Sequence, residues 1–248
     1  CRGINNRPFM VIDDGWQPNM TDWPWDRGNE RFPDMKALAD DIKNLDVRPG
    51  IWVRYLADMK QRMPNVPEGA RLMRDNQFFD PSHPFVRDYV TDVTRRIVDW
   101  GYQLIKHDYS SYDMFGDWGV NRPDSFTADG WHFYDQSRTS AEIVVDFYRT
   151  IREAAGKDTL ILGCNVIGFL TAGLAHMNRT GDDTSGREWE RTRHMGVNTL
   201  AFHMTHEGTL YGADADCAPF TSKLPQKMAL KWLDILAKSG TALFVSPE

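Results

Sequence analysis

YQLIKHD, residues 102–108, is a short apolar run that ends in Lys, His and Asp. It follows residues 85–100, whose apolar positions recur at helical spacing and which end at Gly101, a typical helix-terminating residue. A strand that comes directly after an amphipathic helix is typical of a βαβ unit, in which helices connect parallel strands. We therefore predict a strand over 102–106, with the charged residues at its carboxyl end.

The same alternation of short apolar runs and amphipathic segments continues along the chain. The predicted strands are residues 9–12, 48–56, 102–106, 159–163, 197–202 and 241–245, and the predicted helices are 34–46, 85–100, 139–155 and 225–239. Asp34 is a predicted N-cap, and Thr139 with Glu142 forms a predicted capping box.

Polar residues follow the predicted strands. They are Asp13 and Asp14, Arg54, residues 106–108, Cys164 and Asn165, and Ser246. Barrel enzymes and doubly wound sheets both place their sites at the carboxyl ends of strands. Because the sequence has no glycine-rich phosphate loop, we predict an α/β fold of the (β/α)8-barrel type rather than a nucleotide-binding sheet.

Length and composition fit one such barrel, so we expect residues 1–248 to form a single catalytic domain. The net charge of −6 and the lack of a Lys/Arg-rich run argue against nucleic acid as a partner. The three cysteines, Cys1, Cys164 and Cys217, are widely spaced without a C-x-x-C pair, so we expect neither a disulfide scaffold nor a zinc site.

Residues 159–177 are low in charge and about long enough to span a membrane, but they contain Asn165 and several glycines. A strand, a loop and a short helix fit this segment better, so we expect no membrane partner. The chain does not start with Met, and residues 1–8 lack the apolar core of a signal peptide. We interpret it as a piece of a longer protein, whose compartment is left open between periplasmic or secreted and cytoplasmic.

Several of the nine tryptophans lie in polar segments rich in Gly, Asp and Pro. They are Trp16, Trp23, Trp25, Trp118 and Trp131. Large aromatic side chains fill cores, and their flat apolar faces also stack on sugar rings. In loops of this composition we expect them to line a cleft.

Lys106 and Asp108 lie two residues apart on the predicted strand, and alternate side chains of a strand share a face. A neighbouring lysine lowers the pKa of a carboxyl group and keeps it ionised. An ionised, positioned carboxylate is what a covalent glycosidase mechanism requires, although a surface ion pair would give the same pattern.

Asp182 and Asp183 form a second acidic cluster. Two adjacent carboxylates repel each other, which tends to raise the pKa of one toward the range of a general acid. A Gly-Asp-Asp turn that caps the next helix is the alternative.

Asp13, Asp14 and Trp16 suit sugar hydroxyls and a sugar ring, although Asp-Gly is also a common turn. Asp214 and Asp216 could form a solvated loop or a calcium-like cluster, but their spacing does not fit an EF-hand loop. We interpret His203 and His206 as structural or cleft-lining residues rather than metal ligands.

Taken together, these segments resemble the clan of retaining glycosidases formed by glycoside hydrolase families 27 and 36, the α-galactosidases and their relatives. The resemblance rests on residues 12–16 (IDDGW), 31–38 (RFPDMKAL) with 48–52 (RPGIW), 106–108 (KHD), 179–182 (RTGD), and 212–217 (GADADC) with 243–246 (LFVS). It covers nearly the whole chain, and each motif follows a strand.

The resemblance implies a retaining exo-glycosidase that is α-galactosidase-like and needs no cofactor or metal. Asp108 would be the nucleophile and Asp182 the general acid/base, with their carboxyl groups facing one pocket about 5–7 Å apart. The implied substrate-binding residues are Asp13, Asp14, Trp16, Trp52, Lys106, Asn165, Arg179, Asp216 and Cys217. The strand before Asp13 would be the second of the barrel, so the chain would hold strands two to eight, without the first strand and without the family's C-terminal β-domain.

The sequence departs from the family pattern at two positions. Asn165 follows Cys164 where family 27 often has Glu, so the sugar's 2-substituent, and with it galactose, is not fixed. Gly15 replaces a disulfide-forming cysteine, which favours family 36 or a distant branch. The loop 109–138 matches no family motif, and we expect it to roof the cleft.

Two other interpretations stay open. A glycosidase of the same fold could act on a β-L-arabinopyranoside, an α-N-acetylgalactosaminide or an isomalto-oligosaccharide. A non-catalytic carbohydrate-binding barrel would share the fold and the aromatic residues.

Overall fold

The computed structural model describes residues 7–116, 130–179, 181–184 and 186–247. The chain divides into two compact units, with the boundary after Leu174. Each unit is described by itself.

The first unit alternates parallel strands and helices. Its elements are β1 (Phe9–Ile12), α1 (Met35–Asn44), β2 (Arg48–Val53), α2 (Pro84–Asp99), β3 (Leu104–His107), α3 (Ser110–Phe115), α4 (Ser140–Ala155) and β4 (Leu160–Gly163), followed by a 3-10 turn, Gly168–Thr171. β1 pairs with β2, β2 with β3 and β3 with β4, all in parallel. This is the βαβ arrangement that the sequence pattern predicts.

The second unit continues the alternation. Its elements are β5 (Met177–Arg179), α5 (Trp189–His206), β6 (Gly212–Phe220), α6 (Gln226–Ser239) and β7 (Ala242–Pro247). β6 pairs in parallel with both β5 and β7, and its register with β7 shifts between Asp214 and Cys217.

The fold class predicted from sequence is confirmed. The described residues hold seven parallel strands, with helices between them, instead of the eight strands of a complete barrel. The chain therefore has the architecture of an incomplete (β/α)8 barrel.

Local sequence signals account for where several helices begin and end. The Asp34 side chain accepts hydrogen bonds from the backbone amides of Lys36 and Ala37, so it caps α1 as predicted. The predicted capping box of Thr139 and Glu142 is present at the start of α4. Gly240 ends α6 in the left-handed conformation that glycine adopts readily.

The strand predicted at 197–202 is wrong, because these residues lie inside α5. A six-residue apolar run does not distinguish a strand from a helix by periodicity. Gly196 accounts for how close this helix lies to α6, since an added Cβ would overlap the ring of Trp232.

Sequence analysis did not predict β5 and β6. β5 has only three residues, and β6 reads GADADCAPF, in which small and acidic residues replace the usual β-branched ones. Ala215 and Ala218 of β6 are nonetheless buried against Trp232 and Leu236 of α6, so packing rather than propensity defines this strand.

The expectation that loop tryptophans line a cleft is wrong for two of them. Trp16 and Trp25 are fully buried, and each has a ring centroid within 6 Å of the next ring in the series Trp16, Trp25, Trp52. The Trp16 indole N–H donates to the Trp52 carbonyl at 2.8 Å, which removes the cost of burying that polar group.

Of the other three tryptophans in polar segments, Trp23 and Trp131 are half-buried, and Trp118 lies outside the described residues. The loop 109–138, expected to roof a cleft, begins with α3, and its residues 117–129 also lie outside the described part.

Residues 159–177 contain β4, a loop and the 3-10 turn, as the sequence predicts. None of the helices in the described part of the chain is long and apolar enough to cross a lipid bilayer.

The buried strands of the first unit provide a test of this core. Leu104 of β3 is fully buried, and Leu45, directly after α1, is 70% exposed. We expect Leu104→Ala to lower the free energy of unfolding by about 2–5 kcal/mol, because it removes buried methyl groups and leaves a cavity. Leu45→Ala makes the same chemical change at the surface and should cost less than about 0.5 kcal/mol. Urea unfolding of both variants measures the difference, and equal losses would contradict this account of the core.

Candidate functional site

The predicted site residues of the first unit lie at or just beyond the carboxyl ends of its strands. Asp13 and Asp14 follow β1, Lys106 is the last residue but one of β3, Asp108 follows β3, and Asn165 comes two residues after β4. Parallel strands present these ends along one edge, which is where barrel enzymes place their chemistry.

The Asp108 carboxylate is buried and accepts hydrogen bonds on both of its oxygens. Its Oδ2 accepts from the Trp52 indole Nε1 at 3.0 Å. Its Oδ1 accepts from the Asn165 side-chain amide at 2.6 Å and from the Tyr109 backbone N–H at 2.6 Å. Donors from three separate segments therefore fix both oxygens of this carboxylate.

Two of these donors come from residues in the left-handed backbone conformation. Tyr109 has φ +65° and Asn165 has φ +49°. Side chains other than glycine rarely adopt this conformation, and asparagine tolerates it better than tyrosine does. Such backbone strain persists only where surrounding contacts enforce it, and it concentrates at functional sites.

Lys106 connects the ends of β3 and β1. Its Nζ lies 2.7 Å from Asp13 Oδ2, and the Asp13 side chain is 59% exposed. Sequence analysis expected Lys106 to act on Asp108, and it did not foresee this ion pair with Asp13. The pair places an ammonium group and an accessible carboxylate beside each other, a combination that can donate to and accept from sugar hydroxyls.

Asp14 shapes its own loop. Its Oδ1 accepts from the Gln17 side-chain amide at 2.7 Å and from the Thr21 backbone amide at 3.0 Å. These contacts fold the segment 14–21, which carries Trp16, onto itself.

The two tryptophans expected to contact a sugar are buried. Trp16 is fully buried and Trp52 is 2% exposed, so neither ring offers a face to a ligand in this structure. The physical reason is their mutual packing with Trp25, which covers both rings. Trp52 still reaches the site through its indole N–H on Asp108.

In the second unit, Arg179 lies among carboxylates. Its Nη1 is 2.7 Å from Asp183 Oδ1 and 3.8 Å from Asp216 Oδ2. Asp216, in the left-handed conformation, also accepts from the Thr184 backbone amide at 2.7 Å. Arg179 and Asp216 thus organise the segment that follows β5.

Cys217 contributes its backbone to the same arrangement. Its carbonyl oxygen accepts from the Thr184 hydroxyl at 2.6 Å and from the Trp232 indole at 3.2 Å. These bonds attach residue 184 and α6 to β6.

Asp182 differs from what the sequence predicted. Arg191 donates to both of its oxygens, at 2.8 and 2.6 Å, and this ion pair lowers the pKa of Asp182 below its ordinary value. The increase in pKa expected from the neighbouring Asp183 does not occur, because Arg191 donates hydrogen bonds to Asp182 and the Asp183 backbone N–H donates a further one. In this structure Asp182 is therefore an exposed carboxylate that favours its ionised form.

Two groups next to Asp108 were not identified as site residues from sequence. Arg54 follows β2 and is buried in an ion pair with Asp113 of α3, at 2.6 Å. The position of Arg54 directly after a strand could have marked it as a site residue. Its ion-pair partner could not be foreseen, because Asp113 lies in α3, which was not predicted. His107 precedes Asp108 and is buried, and its burial lowers its pKa to about 4, against the opposing charge of Asp108.

No metal centre is apparent within the described ranges, where His, Cys, Asp and Glu side chains nowhere form a group of three or more that could hold an ion.

Known protein families and curated proteins give no match to this chain. Solved structures do match its fold. An α-galactosidase from Thermus thermophilus in complex with p-nitrophenyl α-D-galactopyranoside aligns with a TM-score of 0.70 and 19% identity over 96% of this chain. A family GH27 β-L-arabinopyranosidase from Geobacillus stearothermophilus in complex with arabinose aligns at 0.66, with 14% identity over 98%.

A third structure, the isomalto-dextranase of Arthrobacter globiformis T6 complexed with panose, aligns at a TM-score of 0.63, with 15% identity over 95% of this chain. The chain spans 51%, 64% and 45% of the lengths of these three proteins. At such identities the similarity establishes a shared fold, that of glycoside hydrolases in the clan the sequence resembles.

Acid sensitivity follows from the environment of His107. Because its pKa is near 4 in the folded chain and near 6.5 when unfolded, the unfolded state binds the extra proton first as pH falls. Stability should therefore fall between about pH 6.5 and pH 4, by roughly 3 kcal/mol from this group. His107→Phe keeps an aromatic ring against Tyr55 and Tyr148 and should remove this part of the dependence of unfolding free energy on pH. Urea unfolding across this pH range tests it, and parallel slopes in parent and variant would refute it.

The Arg191 ion pair makes a second prediction. Arg191→Gln should raise the pKa of Asp182, because it removes the guanidinium that favours the carboxylate. Arg193→Gln is the matched control, since Arg193 lies on the same helix but pairs with Glu190. Side-chain carboxyl NMR of Asp182 gives the titration, and no difference between the two variants would count against the assigned cause.

Proposed function

We propose that the chain is the catalytic barrel of a retaining exo-glycosidase that cleaves terminal α-galactosides or a closely related sugar. The observation that carries the proposal is the Asp108 carboxylate, which is buried and held on both oxygens by Trp52, Asn165 and the Tyr109 backbone. A carboxylate fixed in this way at a strand end suits a nucleophile, which must be ionised and precisely oriented.

In the proposed mechanism, an Asp108 oxygen attacks the anomeric carbon while the bond to the leaving oxygen breaks. Asp182 donates a proton to that oxygen, and a covalent glycosyl-enzyme forms. Asp182 then takes a proton from water, and the water oxygen replaces Asp108 at the anomeric carbon. Two displacements release the sugar with retained configuration.

The Lys106–Asp13 pair is the proposed hydroxyl-binding group. Its ammonium group can donate to a sugar oxygen, and the exposed Asp13 carboxylate can accept from a hydroxyl. Asn165 donates its amide N–H to Asp108, which leaves its carbonyl oxygen as the acceptor we assign to a 2-hydroxyl. Hydrogen bonds to the 2-hydroxyl strengthen in the transition state of glycoside hydrolysis.

The role of Asp182 requires a protonated carboxyl group in the first step. The bidentate contact with Arg191 opposes protonation, so the proposal requires substrate binding to loosen this contact. Arg179 and Asp216, which organise the same segment, are the groups we assign to holding Asp182 and the sugar in the second unit, and Cys217 supports them through its backbone.

The sugar itself is best identified by a panel of nitrophenyl glycosides. We expect turnover of the α-galactoside. The β-L-arabinopyranoside tests whether the C6 group is needed, and the α-N-acetylgalactosaminide tests whether the site accepts an acetamido group at C2. Isomalto-oligosaccharides cover the remaining substrate class. Sugar binding without turnover of any of these would instead indicate a carbohydrate-binding barrel.

Asp108→Asn is the decisive variant. It keeps the size of the side chain but removes the nucleophile, so kcat should fall by about a thousandfold or more. Asp41→Asn on the exposed face of α1 is the control, and it should leave kcat unchanged.

A 2-deoxy-2-fluoro glycosyl fluoride should leave a covalent adduct on Asp108 that mass spectrometry locates, and NMR should show the retained anomer as the first product. Near-normal turnover by Asp108→Asn, or an adduct on another residue, would refute the assignment.

A further inference from the structure

The buried ion pair of Arg54 and Asp113 lies next to the Asp108 site. Arg54 is 3% exposed and Asp113 is fully buried. Arg54 Nε donates to both Asp113 oxygens, at 3.1 and 3.0 Å, and Nη2 donates to Oδ1 at 2.6 Å. Although burial alone would lower the pKa of Arg54, the charge and hydrogen bonds of Asp113 raise it, so the guanidinium stays charged.

Such a pair is weak evidence for stability in itself. Removing two charges from water costs about as much as their attraction returns, and apolar replacements of similar volume are often as stable. Its location therefore calls for a role beyond holding the core together.

The guanidinium of Arg54 packs on Tyr109. Its Cζ lies 4.0 Å from the centroid of the Tyr109 ring, on the face of the ring. The same ring also packs perpendicular to the ring of Trp52, with centroids 6.2 Å apart and planes at 87°. Trp52 and Arg54 are two residues apart along one extended segment, so their side chains leave it on the same face, and both contact Tyr109.

The ring of Tyr109 in turn holds its own backbone. Tyr109 has φ +65°, and in this conformation its N–H donates to Asp108 Oδ1 at 2.6 Å. The Asp113 backbone N–H donates to the Tyr109 carbonyl at 2.8 Å, so the partner of Arg54 also bonds to the backbone of Tyr109, at its other peptide group. Because tyrosine disfavours the left-handed region, contacts from the surrounding residues must enforce it.

We propose that Arg54 is a positioning residue for Asp108, acting through the ring and the backbone N–H of Tyr109. Its guanidinium clamps the ring, the ring holds the left-handed backbone, and the N–H fixes one carboxylate oxygen. The consequence for turnover rests on the proposed function, whereas the geometric consequence at the Tyr109 amide does not.

A second arginine in the first unit provides a matched control. Arg71 donates to the buried Asp58 at 2.6 Å, and its Cζ lies 5.0 Å over the ring of Phe79. It has the same kind of partner and the same kind of ring, but neither Asp58 nor Phe79 bonds to Asp108 in the contacts described for them. Arg71→Lys therefore also removes a guanidinium that is ion-paired and stacked on a ring, but at a place whose described contacts do not include Asp108.

The experiment compares Arg54→Lys with Arg71→Lys in the full chain. Lysine keeps the charge but cannot stack as a plane or donate in a fork. In ¹⁵N-labelled protein, Arg54→Lys should move the Tyr109 amide proton upfield and speed its exchange, and Arg71→Lys should do neither.

Kinetics on the best aryl glycoside should show kcat lowered about 10- to 100-fold by Arg54→Lys, with KM within about threefold, because a small misplacement of a reacting group has effects of this size. A purely structural role would lower stability in both variants and leave the Tyr109 amide and kcat unchanged. That result would overturn the inference.

Tyr109→Ala tests the same chain of contacts with the buried ion pair intact, so it is informative even if Arg54→Lys fails to fold. Alanine disfavours the left-handed backbone as tyrosine does, and without the ring the N–H should lose its orientation toward Asp108, so kcat should fall by a similar factor. Parent-like kcat in Tyr109→Ala would overturn the inference.

The double variant completes the test. If Arg54 acts through the ring, Arg54→Lys should cost little more in a Tyr109→Ala background, whereas fully multiplicative losses would overturn the inference. The two proposals also fail differently. No turnover on any sugar by the parent refutes the proposed function, while the amide measurement still decides the role of Arg54. Loss of turnover in Asp108→Asn together with a parent-like Arg54→Lys refutes only the positioning role.

Discussion

The hydrogen bond from the Trp52 indole to Asp108 depends on the register in which β2 pairs with β3. Trp52 lies opposite Lys106, and Lys106 lies opposite Leu162 of β4. This register brings the end of β2, the residues after β3 and the loop after β4 to one position, where Trp52, Tyr109 and Asn165 reach the same carboxylate. A slip of one residue in β2 would turn the Trp52 side chain to the other face of the sheet, so strand pairing fixes this contact of the candidate site as firmly as it fixes the core.

Much of this arrangement could be predicted from the sequence, because it follows from periodicity. Apolar runs between amphipathic segments predict parallel strands, and parallel strands place Asp13, Lys106 and Asp108 along one edge. The direct partners of Asp108 could not be predicted, since two of them depend on left-handed backbone at Tyr109 and Asn165. No local pattern marks a tyrosine for that conformation; contacts from distant residues impose it.

The errors have a similar origin. Residues 197–202 have the composition of a strand and lie in a helix, while β6 has the composition of a loop and pairs on both sides. Trp16 lies in a polar segment and is fully buried. In each case packing against residues far away in sequence determines the secondary structure or the burial, and it overrides the preference of the local sequence. The same holds for the pKa of Asp182, because Arg191, nine residues away, donates the hydrogen bonds that lower it most.

The packed series of Trp16, Trp25 and Trp52 has an optical consequence. The three indoles are in contact with one another and shielded from water, and one of them donates its N–H to Asp108. Neighbouring indoles in fixed orientations couple their electronic transitions, and a buried indole emits at shorter wavelength than one in water. The candidate site therefore contains an intrinsic chromophore, whose near-ultraviolet circular dichroism and fluorescence report on the carboxylate without any added label.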